Sequence, residues 1–424
     1  MDGLLSGPSF CVKPWVHVHV ATDGDVQACC VSPVSFGNLQ KRSLQQIWHG
    51  EEARRFRAAH LLGKPVAGCE RCYQAESVGA FSMRKNANDY FGPRASEAIR
   101  TTTAAGVSPE ARPVDYDIRF SNVCNLKCRT CHHGSSSRWY EDQIALGWKP
   151  GGQKAILRAF DGAEDFWNSF GGFVDDIEKV YFAGGEPLLQ PEHYDLLRAL
   201  DERKRHDTFI AYNTNLSVLD YRGTDVTTLW RRFQRLHVSA SLDASGARGE
   251  LMRHGQSWAR VLANRERIRR ECPNVIFRTA CTVGALNAWH LPDFHRELID
   301  TGFIDPEQFD INLAHGLLDA QVLPAHLKQE IRLRNAAHAA WLRSIGEDST
   351  AERFDAFVCH LGKQDRSDSL GKFRFQCDAL DRLRSESTAE VFPELASTLR
   401  PLGQLQRLST LLRARAAASP PTQI

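Results

Sequence analysis

The chain has 424 residues, 42% apolar and 25% charged, with a formal net charge of +2. That length suggests two or three domains, and the near balance of charge removes the usual sign of a dedicated nucleic-acid or anionic-membrane binder. No stretch approaches the ~18 to 20 uninterrupted apolar residues of a spanning helix, and MDGLLSGPSF at the start has neither a basic n-region nor an apolar core. The expectation is a cytoplasmic protein with no nucleic-acid or membrane partner.

Twelve cysteines are many for a chain whose thiols stay reduced, so metal or catalysis, not a disulfide framework, must account for them. Residues 1–90 combine the β-like run WVHVHVAT with the helical run SLQQIWHGEEARRFRAAH and carry Cys11, Cys29, Cys30, Cys69 and Cys72. This reads as a small cysteine-bearing α+β domain. His17 and His19 alternate along their run and share one side of a strand, where a structural or surface role outweighs metal ligation. Residues 91–113, with three prolines, two glycines and no periodicity, read as a linker.

From Val114 the pattern changes to β-like runs followed by helical ones. The candidate strands are DYDIRFSN, EKVYFAGG, TFIAYNTN, RLHVSASLD, NVIFRTACTV and QFDINLA, with helices such as HYDLLRALDERKR and WARVLANRERIRR between them. Six βα units over residues 114–318 predict an α/β fold, a parallel TIM-type barrel or a partial (β/α)6 barrel with its chemistry at the C-terminal strand ends; a doubly wound open sheet is the alternative. The segment GWKPGGQKAILRAFDGAEDFWNSFGGF reads either as a substrate lid or as a packing helix. Residues 319–415 are helix-like throughout, and 416–424 read as a disordered tail. Cys272, Cys281, Cys359 and Cys377 read as buried small apolar residues.

After the first barrel strand comes Cys124-Asn-Leu-Lys-Cys128-Arg-Thr-Cys131. Three thiolates at this spacing hold three corners of a [4Fe–4S] cluster and leave one iron open; a zinc knuckle completed by His132 or His133 is the competing reading. The motif resembles that of the radical S-adenosylmethionine (SAM) superfamily, and further residues carry the resemblance in order. Gly184-Gly185-Glu186-Pro187 ends the second strand, Asn213-Thr214-Asn215 the third, and the fourth reads Ser239-Ala240-Ser241-Leu242-Asp243, with Arg253 following. The resemblance implies that Gly184, Gly185 and Glu186 hold the SAM ammonium, that Asn215, Ser239, Ser241 and Asp243 contact its ribose and carboxylate, and that Arg253 pairs with the carboxylate. Thr130 stands where the superfamily often has an aromatic residue beside adenine, a part that falls instead to the segment around Val283. The implied chemistry is reductive cleavage of SAM to a 5′-deoxyadenosyl radical that takes hydrogen from a C–H bond.

In the first domain, Cys11-x12-Gly24-x4-Cys29 followed by Cys69-x2-Cys72 offers four thiolates for one closed site, [4Fe–4S] or zinc. The spacing resembles the SPASM and twitch extensions of radical SAM enzymes, here ahead of the barrel. Phe10-Cys11-x2-Pro14-Trp15, Cys29-Cys30, Cys124 to Ser137 with Trp139, Leu323-Pro324 and Leu380-Asp381-x-Leu383-Arg384 extend the likeness to twitch-domain radical SAM proteins with an N-terminal module. It implies an auxiliary [4Fe–4S] cluster on Cys11, Cys69, Cys72 and Cys29, the last preferred over Cys30. It also implies an external one-electron reductant such as flavodoxin or ferredoxin. The expected substrate is a peptide or protein undergoing oxidation. The alternatives are dehydrogenation, epimerisation or decarboxylation of a small molecule such as an aminosugar or nucleoside, and a non-catalytic zinc scaffold. No residue is assigned to catalysis from sequence.

Overall fold

A computed structural model describes residues 7–77, 82–148 and 154–399. Thirteen strands are described: β1 (His17–Val20), β2 (Asp25–Gln27), β3 (Ser35–Asn38), β4 (Asp115–Ile118), β5 (Lys127–Cys128), β6 (Lys179–Phe182), β7 (Phe209–Thr214), β8 (Asp220–Tyr221), β9 (Thr224–Asp225), β10 (Arg235–Ser241), β11 (Arg253–His254), β12 (Val275–Val283) and β13 (Phe309–Leu313). Nine of them form one sheet in the order β13-β12-β10-β7-β6-β4-β1-β2-β3. Strands β4, β6, β7, β10, β12 and β13 are parallel and adjacent in chain order, as a six-unit partial barrel requires. Each overlaps one of the six runs expected from sequence.

The alternation within these strands explains the curvature. In β4, Tyr116 and Ile118 are fully buried against the helices, whereas Asp115 and Asp117 take the opposite side. Likewise Val180 and Phe182 of β6 and Ile210, Tyr212 and Thr214 of β7 are buried between Lys179 and Tyr181, and between Phe209, Ala211 and Asn213. Parallel strands buried on both faces are usually continuously apolar; here most inward positions, Asp115, Asp117, Lys179, Tyr181 and Asn213 among them, are polar because the inner face lines a lumen.

The N-terminal segment is not a detached domain. Strand β1 pairs in parallel with β4, with His17 opposite Asp115 and His19 opposite Asp117, so β1, β2 and β3 extend the barrel sheet past its first edge. The expected linker 91–113 is corrected in its first part: Met83–Arg100 is one helix, capped by the Ser82 side chain, that buries Phe91, Ala95, Ala98 and Ile99. Pro93 lies inside that helix, and apolar burial outweighs the local cost that proline carries there. The run SLQQIWHGEEARRFRAAH forms two helices, Leu44–Trp48 and Glu51–Leu61, with a Ser43 capping box at the start and Gly50 between them.

Helix Ala163–Phe170 buries Phe166 and Phe170 against Phe120 and Tyr116, so this part of the insertion is a packing helix, not a lid. The C-terminal extension is helical as expected, with Ala325–Ser344, Asp348–Lys363 and Leu370–Arg384. The expected disordered tail, 416–424, lies outside the described residues. Cys272, Cys281 and Cys377 are buried, but Cys359 is exposed, a correction to the expectation of burial.

Candidate active site

Cys124, Cys128 and Cys131 line one cavity of about 390 Å³ at the C-terminal ends of the barrel strands, together with Gly184, Gly185, Glu186, Asn215, Ser241 and Arg253. The loop that presents them is braced on every side. Strand β5 pairs antiparallel with β11, setting Cys128 opposite Arg253, and the Arg129 amide donates to the Met252 carbonyl at 2.7 Å. Trp139 Nε1 donates to the Cys128 carbonyl at 2.8 Å, and Ser136 Oγ to the Leu126 carbonyl at 2.7 Å.

Glycines are required where the second strand end crosses this loop. Gly184 has φ 74° and Gly185 φ 51°; a Cβ on Gly185 would lie 2.4 Å from the Val123 carbonyl oxygen. The crossing lets the Glu186 amide donate to that same carbonyl at 2.8 Å. The Glu186 carboxylate is 1% exposed and accepts from Thr214 Oγ1 (2.7 Å), the Leu188 amide (3.2 Å) and the Asn215 amide (2.8 Å). Burial exceeds these hydrogen bonds in effect and pushes its carboxyl up to about 7. A buried carboxyl in that condition, lining a cavity, suits a cationic ligand group.

Arg253 is buried and forks onto Asp243, Nε to Oδ2 at 2.9 Å and Nη2 to Oδ1 at 3.0 Å, while Nη1 lies 3.7 Å from Cys128 Sγ. Asp243 also accepts from the Thr282 amide at 2.9 Å. The structure therefore spends Asp243 on aiming Arg253. Neither Asp243 nor Ser239 is among the cavity's lining residues, whereas Ser241 and Thr282 are. Asn215 Nδ2 donates to Asn125 Oδ1 at 2.9 Å and lies 3.9 Å from Cys124 Sγ. Both histidines offered for a zinc knuckle are turned to local partners: His132 Nδ1 accepts from the Gly134 amide at 3.0 Å, and His133 Nε2 lies 2.9 Å from the Ala155 carbonyl. Three thiols on one cavity fit three corners of a cluster; among the described residues no three His, Cys, Asp or Glu side chains stand close enough to hold one metal ion.

Sequence reasoning missed what holds the loop from behind. Arg129, 1% exposed at its side chain, bonds Asp381 and Glu386 at 2.6 Å each and Thr388 at 2.9 Å. Arg384 pairs with Asp142 at 3.0 Å and covers the Trp139 ring at 4.6 Å. The Leu380 to Arg384 motif is thus a clamp on the cysteine loop, a pairing 252 residues apart in sequence that no local pattern reveals.

In the N-terminal segment, Cys11, Cys29, Cys69 and Cys72 line one small cavity with Lys13, Arg71, Met83 and Arg84. Cys30 lies in a different cavity. The Cys11 turn is fixed by Asn88, which accepts from the Val12 amide (2.8 Å) and donates to the Phe10 carbonyl (3.0 Å), and by Arg84, which donates to the same carbonyl (2.6 Å). His60 Nε2 lies 3.9 Å from Cys69 Sγ. Four thiols about one cavity are a complete donor set for a cubane cluster.

Residues 118–297 match the family model for the radical SAM superfamily, and residues 11–73 match SPASM, an iron–sulfur cluster-binding domain. The chain carries a radical SAM domain. Its cofactors are SAM and a [4Fe–4S] cluster, with iron–sulfur binding in the SPASM segment ahead of the barrel. No curated protein matches the chain. Among solved structures it is similar to native anSMEcpe with bound AdoMet (15% identity, 55% of this chain, 62% of that one, TM-score 0.39) and to hexahistidine-tagged anSMEcpe with bound AdoMet (15%, 55%, 61%, 0.39). A structure of TYW1 with a lysine-pyruvate adduct bound also matches (12%, 50%, 68%, 0.27). The chain thus spans about three fifths of the anSMEcpe chains. Among the described residues no helix is long and apolar enough to cross a membrane.

Proposed function

We propose that the chain is a radical SAM enzyme that removes hydrogen from a C–H position of a peptide or protein and oxidises it by two electrons. The observation that carries this reading is a third cavity, of about 360 Å³, inside the barrel. It shares Arg119 and Tyr181 with the Cys124–Cys128–Cys131 cavity and Lys13 and Met83 with the four-cysteine cavity. A substrate group in this chamber is within reach of both ends.

When bound, SAM and the reduced cluster supply a 5′-deoxyadenosyl radical. In this reading Cys124, Cys128 and Cys131 hold that cluster. Glu186, with the Gly184 and Gly185 backbone, receives the SAM ammonium; Arg253, aimed by Asp243, receives its carboxylate; Asn215 and Ser241 serve the ribose side. These opposite charges match a zwitterion with an added sulfonium. Cys11, Cys29, Cys69 and Cys72 hold an auxiliary [4Fe–4S] cluster whose full ligation suits electron transfer and not substrate binding. An external one-electron reductant such as flavodoxin or ferredoxin completes the circuit. The size of the chamber also favours a second reading, a small metabolite such as an aminosugar or nucleoside.

Replacement of Cys128 by Ala is expected to abolish 5′-deoxyadenosine formation, and undiminished formation sinks the assignment. Replacement of Cys69 or Cys72 is expected to spare SAM cleavage while product formation falls; unchanged product removes the electron-transfer role. A peptide substrate changes mass by a small integer, whereas a metabolite substrate leaves peptides untouched.

A further inference from the structure

The chamber between the two cysteine sites is built in layers, because the pairing registers align its inward residues. His17, Asp115, Lys179 and Phe209 form the lower layer; His19, Asp117, Tyr181 and Ala211 form the next, nearer the SAM end. Two residues of strand separate them, a rise of about 7 Å.

Charge in the lower layer is unequal. Lys13 and Lys179 approach Asp115 from either oxygen, each at 3.8 Å, too far for a hydrogen bond, while His17 Nδ1 occupies the near position at 2.7 Å. Two ammonium groups, one of them 6% exposed, therefore share a single carboxylate, and each keeps donor capacity. The four-cysteine cavity is also lined by Arg71 and by Arg84, the latter paired with Glu76 at 2.5 Å. His17 Nε2 is buried without a hydrogen-bond partner. In the upper layer Asp117, 3% exposed, meets Arg119 Nε at its Oδ1 only as a 3.5 Å ion pair, and neither atom makes a hydrogen bond. Buried polar atoms left open in this way cost free energy unless a ligand satisfies them.

We propose that the chamber takes a substrate unit with a carboxylate, seated between Lys13 and Lys179, and an N–H or O–H donor that bonds Asp117. The C–H position attacked then lies one layer higher, at the seam formed by Tyr181 and Arg119 and about 7 Å from the carboxylate, several bonds along the substrate. This rests on the radical SAM reading and narrows its substrate class. The carboxylate comes from a peptide chain end or from a small acid.

The test is calorimetric titration of the reconstituted, SAM-loaded full chain with two matched pairs: N-acetylalanylalanine against its C-terminal amide, and glucuronate against glucose. At least one acid is expected to bind ten times or more tighter than its neutral partner, the first pair marking a peptide end and the second a small acid. Lys179→Gln is expected to erase the preference and Lys179→Arg to keep it. Equal binding within both pairs, or no binding by either acid, overturns the proposal, and the wild-type comparison decides this even where a variant fails to fold. The same preparation is assayed for 5′-deoxyadenosine: intact SAM cleavage with indifference to charge refutes the carboxylate subsite alone, whereas absent cleavage refutes the underlying reading.

Discussion

Glu186 shows how burial prepares a side chain for its partner. Its carboxyl, raised from 4.5 to about 7 by burial, is largely protonated at pH 6 and ionised at pH 8. An ammonium binds only the ionised form, so SAM affinity falls with pH through 7, by about tenfold between pH 8 and pH 6. Glu186→Gln is expected to weaken SAM binding at pH 8 and to flatten this dependence; dialysis of labelled SAM at the two pH values checks it, and an unchanged slope in the variant contradicts the assignment. Arg129 is the corresponding residue behind the loop. Arg129→Met strips the ion-pair partner from Asp381 and Glu386, which are themselves partly exposed, so the cost falls below the roughly 3–5 kcal/mol of breaking a fully buried pair. Release of iron from the reconstituted chain to a chelator is expected to quicken severalfold, and an unaltered rate removes the clamp.

Among the elements, the six barrel strands and the cysteine loop were legible because alternation and a C-x3-C-x2-C spacing are local signals. The linker reading failed over residues 91–100, the second part of the helix Met83–Arg100, where Phe91, Ala95, Ala98 and Ile99 supply burial that prolines and glycines nearby obscured. Partners distant in sequence were hidden for a similar reason: Arg129 with Asp381 and β1 with β4 meet only once the barrel closes. The spacing from Gly24 favours Cys29 over Cys30, and the fold parts the two into different cavities, with Cys29 beside the other three thiols. Helix Ala163–Phe170 was open between lid and packing element, and Phe166 at 0% exposure decides it. Phe166→Ala is expected to cost about 3–5 kcal/mol of stability with SAM affinity unchanged in the folded fraction; chemical unfolding and SAM binding together separate this from a lid, which would alter affinity and spare stability.

For the molecule as a whole, the parallel pairing of β1 with β4 makes the N-terminal segment part of the barrel sheet. Removing residues 1–112 uncovers the β4 edge and the ends of Asp115 and Asp117, now held by His17 and His19, and an open edge promotes aggregation. The shortened chain is expected to be insoluble or aggregated on size-exclusion chromatography, and a well-folded monomer contradicts the shared sheet. The same continuity places one chamber between two cysteine cavities, and the central claim is that both hold clusters. Its most direct test is iron and acid-labile sulfide per chain in the anaerobically reconstituted wild type and in Cys128→Ala and Cys69→Ala variants. The account predicts about eight irons in the wild type and a loss of about four in each variant, with 5′-deoxyadenosine formed by the wild type and the Cys69 variant only. Zinc in place of iron, without SAM cleavage, contradicts it.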